Sequence, residues 1–184
     1  CDTMCWFCGC QTGVVNAYKP IGVYLQALTG EVELVAEALP GERQAAHVHW
    51  GGGTPTILSP DDIEALAGCL KRRFTFSDAT DFAVEIDPRT LTLDVARALA
   101  RAGVNRASLG VQDLNDDVQR AVNRVQPADM IRRALGWLRD EGIEAVNIDL
   151  MYGLPHQTVV GVQRTVETVL DLEPDRIALF GYAH

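Results

Sequence analysis

Short β-type runs alternate with amphipathic helical stretches from one end of this 184-residue chain to the other, and that alternation narrows the fold most. The runs AAHVHW (45–50), FAVEID (82–87), VNRASL (104–109), AVNIDL (145–150) and RIALFGY (176–182) read as strands. Between them, Leu25, Leu28, Val32, Val35 and Leu39 recur at helical spacing in Pro20–Leu39. Ser59 and Pro60 suit the cap and first position of a second helix, with Ile63, Leu66 and Leu70 inward. A third helix runs from Thr92 to Arg101 and stops at Gly103. A fourth spans Pro127–Glu141, with Ile131, Ala134, Leu135 and Leu138 inward, and a fifth spans Thr158–Leu172. Strands that alternate with helices build βαβ units and a parallel sheet.

Polar residues gather at the ends of these strands: Glu85, Asp87, Gln112, Asp113 and Asp149. Barrel and doubly wound sheets both place their sites beyond the C-terminal strand ends. Because every strand delivers polar groups to one end, the expected fold is α/β, a partial (β/α) TIM-type barrel of parallel strands. A full barrel takes about 250 residues. Residues 1–184 are therefore expected to form one incomplete core domain of a longer protein, which fits a start at Cys1 rather than Met.

Composition excludes several alternatives. Apolar residues make up 47% and charged residues 22%, ordinary for a globular domain, and no apolar run reaches the roughly 18 residues a bilayer requires. A net charge of -9 argues against a general nucleic-acid binder. Neither nucleic acid nor membrane is an expected partner. Of five cysteines, four lie within the first ten residues and Cys69 stands apart. An odd, clustered set suggests metal binding in a reducing cytoplasm rather than a secreted disulfide framework.

Cys1, Cys5 and Cys8 form a C-x3-C-x2-C loop, followed by Cys10. Three thiolates at this spacing can wrap one face of a [4Fe–4S] cubane and leave the fourth iron open to a small chelate. The alternative is a zinc knuckle with Cys10 as fourth ligand, but structural zinc sites usually draw on a second, distant pair. Trp6 and Phe7 sit inside the loop, where they would keep water from a cluster.

Other residues carry both a functional and a plainer reading. Gly51-Gly52-Gly53 after a strand lets a ligand approach the backbone, or simply makes a turn. Glu85 and Asp149 are costly to bury without a partner, either a ligand or a neighbouring Arg. Asp87-Pro88 reads as a strand stop whose carboxylate could also help shape the pocket. Gln112 and Arg124 read as a loop and an early helix, ordinary surface positions on their own. His47 and His49 share a strand face and are expected to be buried and hydrogen-bonded. Cys69 reads as a small core residue.

The cysteine loop CDTMCWFCGC, together with HWGGGTPT (49–56), VEIDPR (84–89), RASLGVQD (106–113), VNR (122–124), NIDLMYGLP (147–155) and FGYAH (180–184), resembles the radical S-adenosylmethionine (SAM) superfamily. Within it, the chain is similar to the oxygen-independent coproporphyrinogen III oxidases of haem biosynthesis. The resemblance implies a [4Fe–4S] cluster on Cys1, Cys5 and Cys8, with Cys10 not a ligand. It implies two SAM molecules, Gly52 and Glu85 at the first and Phe7, Gly53, Thr54, Gln112, Arg124, Asp149 and Ala183 at the second. Arg124 is expected to meet a SAM carboxylate through a two-pronged contact.

The implied reaction is oxidative decarboxylation of two propionates of coproporphyrinogen III to vinyl groups, with an electron-donor protein as partner. A strand before the first cysteine and a C-terminal portion would complete the family's site. The substrate carries four carboxylates, for which Arg106, Arg124 and Lys19 are candidate cations. A related haem chaperone, or a structural metal-binding domain, is the alternative; Cys10 favours the oxidase.

Overall fold

The computed structural model describes residues 1–10 and 13–183; His184, the end of the 180–184 stretch, lies outside them. Helix α1 (Lys19–Ala38) precedes β1 (His47–Trp50), and a 3-10 turn (Pro55–Ile57) leads to α2 (Pro60–Arg73). Then follow β2 (Asp81–Ile86), α3 (Leu93–Ala102), β3 (Arg106–Gln112), α4 (Asp116–Ala121) and α5 (Ala128–Asp140). The chain continues through β4 (Ala145–Tyr152), α6 (Val159–Leu170) and β5 (Arg176–Gly181).

All five strands pair in parallel, in the order β1-β2-β3-β4-β5. A doubly wound sheet would reverse its order at a switch point. Sequential order with right-handed crossovers instead lays the helices along one face, as in an arc of a β/α barrel. Strand burial follows this. Phe82, Val84 and Ile86, then Ala107, Leu109 and Val111, then Val146, Ile148 and Leu150 are all at most 3% exposed. They pack with Ile63, Leu99, Ile131 and Leu138 of the helices, each such buried side chain contributing about 1.5–3 kcal/mol. The alternate residues, Glu85, Ser108, Asn147 and Asp149, face away from that layer and are only partly buried.

Local signals set the helix ends. Ser59, Thr92 and Thr158 each accept a backbone N–H three residues on, as N-caps do. Gly103 closes α3 in the left-handed region at φ 92°. Two expectations need correction. On α1, Ile21, Leu25 and Ala36 are buried, whereas Val35 and Leu39 are 46% and 43% exposed. In the C-terminal half of that helix the packed face is marked by Ala36, 1% exposed, and by Glu33, which pairs with Arg73 of α2, rather than by Val35 and Leu39. Helix α4, capped by Asn115, is six residues long and too short for periodicity to reveal. Among the described residues no helix is long and apolar enough to cross a membrane.

Candidate functional site

The cysteine loop lies against the C-terminal end of the sheet, tied down by the segment after α4. Trp6 N–H donates to the Val122 carbonyl at 3.0 Å, and Asn123 Nδ2 donates to the Met4 carbonyl at 2.7 Å. Arg124 follows with its guanidinium beside Cys5. The three consecutive residues 122–124 therefore hold a loop that lies about 120 positions away in sequence.

The loop roofs a cavity of about 150 Å³. Cys1, Cys5 and Cys8 line it, with Phe7, Gly53, Thr54, Glu85, Gln112, Arg124 and Asp149. Two expected site residues lie outside this lining. Gly52 adjoins the cavity by donating its N–H to Glu85 Oε2 at 3.1 Å, and Ala183 is exposed beyond β5. Gly51 to Thr54 also border a larger apolar groove, about 840 Å³, between α1, β1 and α2.

Each polar side chain is aimed by its neighbours. Glu85 Oε1 lies 3.2 Å from His49 Nε2. Asp149 accepts from Ser108 Oγ at 2.9 Å and from Asn147 Nδ2 at 2.7 Å. Burial pushes its carboxyl up and the Glu85 charge adds to this, against the two hydrogen bonds and the Arg124 charge. Gln112 sits in the left-handed region at φ 67°, where β3 shifts register after Gly110. Such a bulge re-aims a side chain and costs strain in a non-glycine residue. The Gly110 carbonyl that the bulge exposes accepts from Arg124 Nη2 at 2.7 Å and Gln126 Nε2 at 3.2 Å.

Asp87 is the hub beneath the cysteines and only 7% exposed, so it is far more than a strand stop. It takes Arg89 Nε at 3.0 Å, Arg89 Nη2 at 2.7 Å and Arg124 Nη1 at 3.1 Å. Burial opposes its ionisation, but the Arg89 hydrogen bonds and both guanidinium charges prevail and hold the carboxyl below its usual range. Two guanidiniums thus share this one carboxylate beneath the cysteine loop, while Glu85 and Asp149 place two further carboxyl groups on the same cavity. Burial likewise pushes the Cys8 thiol up, as do Cys10 and Cys5, against a Cys10 backbone hydrogen bond.

Whether these residues suit a cluster follows from their spacing. Among the described residues no three metal-ligating side chains converge on one point as a single ion requires. In a cubane each thiolate holds its own iron, so thiols spread around one cavity, with cationic N–H donors at Cys5, fit that group; Cys10 borders the cavity beside Cys1, Cys5 and Cys8.

Other expectations shift. His47 and His49 are exposed rather than buried, His47 beside Asp81 and His49 beside Glu85. Trp6 is 66% exposed and shields little; Phe7 packs with Val118, Val122 and Leu154. Arg106 pairs with Asp81 at the opposite strand ends, and Lys19 is exposed at the start of α1, so neither cation reaches the cavity. Asp113, 2% exposed, bonds Gln157, Thr165 and the Asn115 N–H, a structural role. Arg124 is 8% exposed. Its Nε, Nη1 and Nη2 serve Gln126, Asp87, Cys5 and Gly110, leaving one N–H and no free two-pronged fork. Arg89, Asn123 and Gln126 escaped the sequence reading. The only hint was that Arg89 and Asn123 fall inside the matching stretches VEIDPR and VNR.

Comparison with known proteins fits this geometry. The radical SAM superfamily profile matches residues 1–169. An oxygen-independent coproporphyrinogen III oxidase from Bradyrhizobium diazoefficiens is 46% identical over 184 residues, all of this chain and 41% of that protein. An anaerobic coproporphyrinogen III oxidase from Cereibacter sphaeroides is 45% identical, with the same coverage. The solved coproporphyrinogen III oxidase of Escherichia coli, described as a radical SAM enzyme, superposes with a TM-score of 0.95 at 42% identity, covering 100% of this chain and 42% of that one. The chain thus spans about two fifths of the length of the curated relatives it matches. It belongs to the radical SAM superfamily, whose cofactors are a [4Fe–4S] cluster and SAM.

Proposed function

We propose that residues 1–184 are an incomplete radical SAM core of an oxygen-independent coproporphyrinogen III oxidase. The observation that carries this is the single cavity that unites Cys1, Cys5 and Cys8 with Glu85, Gln112, Arg124 and Asp149. The 45–46% identity to oxidases of that name supports the substrate assignment.

A [4Fe–4S] cluster held by Cys1, Cys5 and Cys8, together with SAM, would supply hydrogen-atom abstraction at a propionate side chain. The chain's own residues hold and orient. Cys1, Cys5 and Cys8 present the thiolates. Glu85, steadied by Gly52 and His49, accepts hydrogen bonds from the amino group or ribose of a first SAM. Phe7, Gly53, Thr54, Gln112, Arg124, Asp149 and Ala183 serve a second. Arg124 gives that second molecule its one remaining N–H. Phe7, packed on α4, keeps that side of the cavity dry. An electron-donor protein reduces the cluster, and the reducing cytoplasm suits five free cysteines.

The test is an anaerobic assay of the full-length protein with SAM, a reductant and coproporphyrinogen III. Protoporphyrinogen IX is expected. Protein that carries four irons yet leaves the porphyrinogen unchanged would overturn the substrate assignment.

A further inference from the structure

Two cationic N–H donors converge on one of the three cysteine sulfurs. Arg89 Nη2 lies 3.3 Å from Cys5 Sγ and Arg124 Nη1 lies 3.5 Å from it. Cys1 Sγ meets a neutral hydroxyl instead, Thr54 Oγ1 at 2.9 Å. Arg124 is accounted for by its other partners, since it also braces the β3 bulge. Arg89 is not. Its remaining contact is the fork onto Asp87, and Asp87 already has Arg124. The buried carboxylate would keep an ion-pair partner without Arg89. What Arg89 adds is a fixed N–H, and a charge, at the Cys5 sulfur.

The geometry points to Arg89 as a positioning residue for the cluster: clamped by Asp87, it donates to the Cys5 thiolate, fixes that ligand's direction and makes the cluster easier to reduce. The physical reason is charge. Adding an electron makes the cluster and its thiolates more negative, so a cation and a hydrogen bond at one sulfur favour the reduced form and raise the potential. Partners of metal-ligating atoms also hold the ligand in place, and removing one typically costs ten- to a hundredfold in metal affinity. The Asp87 clamp keeps the guanidinium from swinging to solvent; the Arg89 side chain is only 16% exposed. Arg89 borders the cavity with its guanidinium turned onto Asp87 and Cys5. The inference rests on Cys5 being a cluster ligand.

The test uses the full-length, anaerobically reconstituted protein and reads the cluster itself. In Arg89→Gln the midpoint potential, followed by spectroelectrochemical titration of the reduced-cluster signal, should fall. Cluster loss to a chelator should quicken by about ten- to a hundredfold. Arg89→Lys keeps a charge but cannot fork onto Asp87 and reach the sulfur together, so it should shift both readouts the same way by less. It also serves as the reading should Arg89→Gln fail to fold. If both folded variants keep the wild-type potential and cluster lifetime, Arg89 is only a structural partner of Asp87 and the inference fails. Cys5→Ala separates the premise: a variant that retains four irons overturns the ligand assignment itself.

Discussion

Asn123 donates from its side chain to the backbone carbonyl of Met4 at 2.7 Å, between the first and second cysteines. Asn123 itself lies in the left-handed region at φ 55°, which Asn tolerates better than most residues. Asn123→Ala should therefore lose the bond and strain the backbone together. Asn123→Gly should lose only the bond. Cluster content after reconstitution should fall in both, with thermal stability lower by about 1–3 kcal/mol in the alanine variant. Iron analysis and a melting curve check this. Full iron content in both variants would mean the loop orders without Asn123.

A second expectation concerns the glycine run after β1. A Cβ on Gly51 would stand 2.7 Å from Glu85 Oε1 and 2.8 Å from His49 Nε2, whereas one on Gly52 meets nothing within 4 Å. Gly52 is there for its φ of +72° and its N–H to Glu85. Gly51→Ala should push Glu85 off its present position and weaken SAM binding by about tenfold or more, the loss of one charge-assisted hydrogen bond. The cluster spectrum should stay as in the wild type. Calorimetric SAM titration that shows no change would free Glu85 from that role.

The strands and most helices were legible in the sequence because their signals are local. Thr92, Ser59 and Gly103 act on residues within a few positions, and the inward faces of α3 and α5 repeat with a helical period. The strand-end carboxylates were legible for the same reason. What escaped depends on contacts between distant segments. Asp87 read as a strand stop whose carboxylate could shape the pocket, but its partner Arg124, 37 residues away, left no local sign. Arg124 looked like a surface residue because nothing beside it in sequence reveals that α4 turns it under the cysteines. The exposure of His47 and His49 was equally hidden: alternation tells that two residues share a face, not which side of the sheet that face is on.

Asp149 separates one SAM from two. Its carboxylate is held by Ser108 and Asn147, so Asp149→Asn keeps the shape and changes the charge. In the full-length protein the variant should assemble its cluster normally. Losing a charge-assisted contact of about 1.5–3 kcal/mol should weaken one of two SAM sites by roughly ten- to a hundredfold. Equilibrium dialysis should then find the stoichiometry falling from two toward one. A wild type that binds a single SAM would contradict the second site outright.

The ion pairs beneath the cysteines make a prediction about acid. Asp87 is buried, which by itself would raise its pKa, but hydrogen bonds from Arg89 and the charges of Arg124 and Arg89 bring it below the ordinary carboxylate value. A carboxyl depressed in the folded state adds stability that is fully present above its unfolded value, about 3.9. That stability drains away as pH falls through the folded value, because the unfolded chain takes up the proton first. Asp87→Asn cannot titrate. It also leaves two buried guanidiniums without their shared anion, a loss of about 3 kcal/mol at neutral pH. The gap between wild type and variant should therefore be widest near neutrality and narrow below about pH 4. Urea unfolding midpoints of the cluster-free protein, taken from neutral pH down to about 3, read this directly. A gap that holds constant or widens on acidification would show that Asp87 is not held ionised by Arg89 and Arg124.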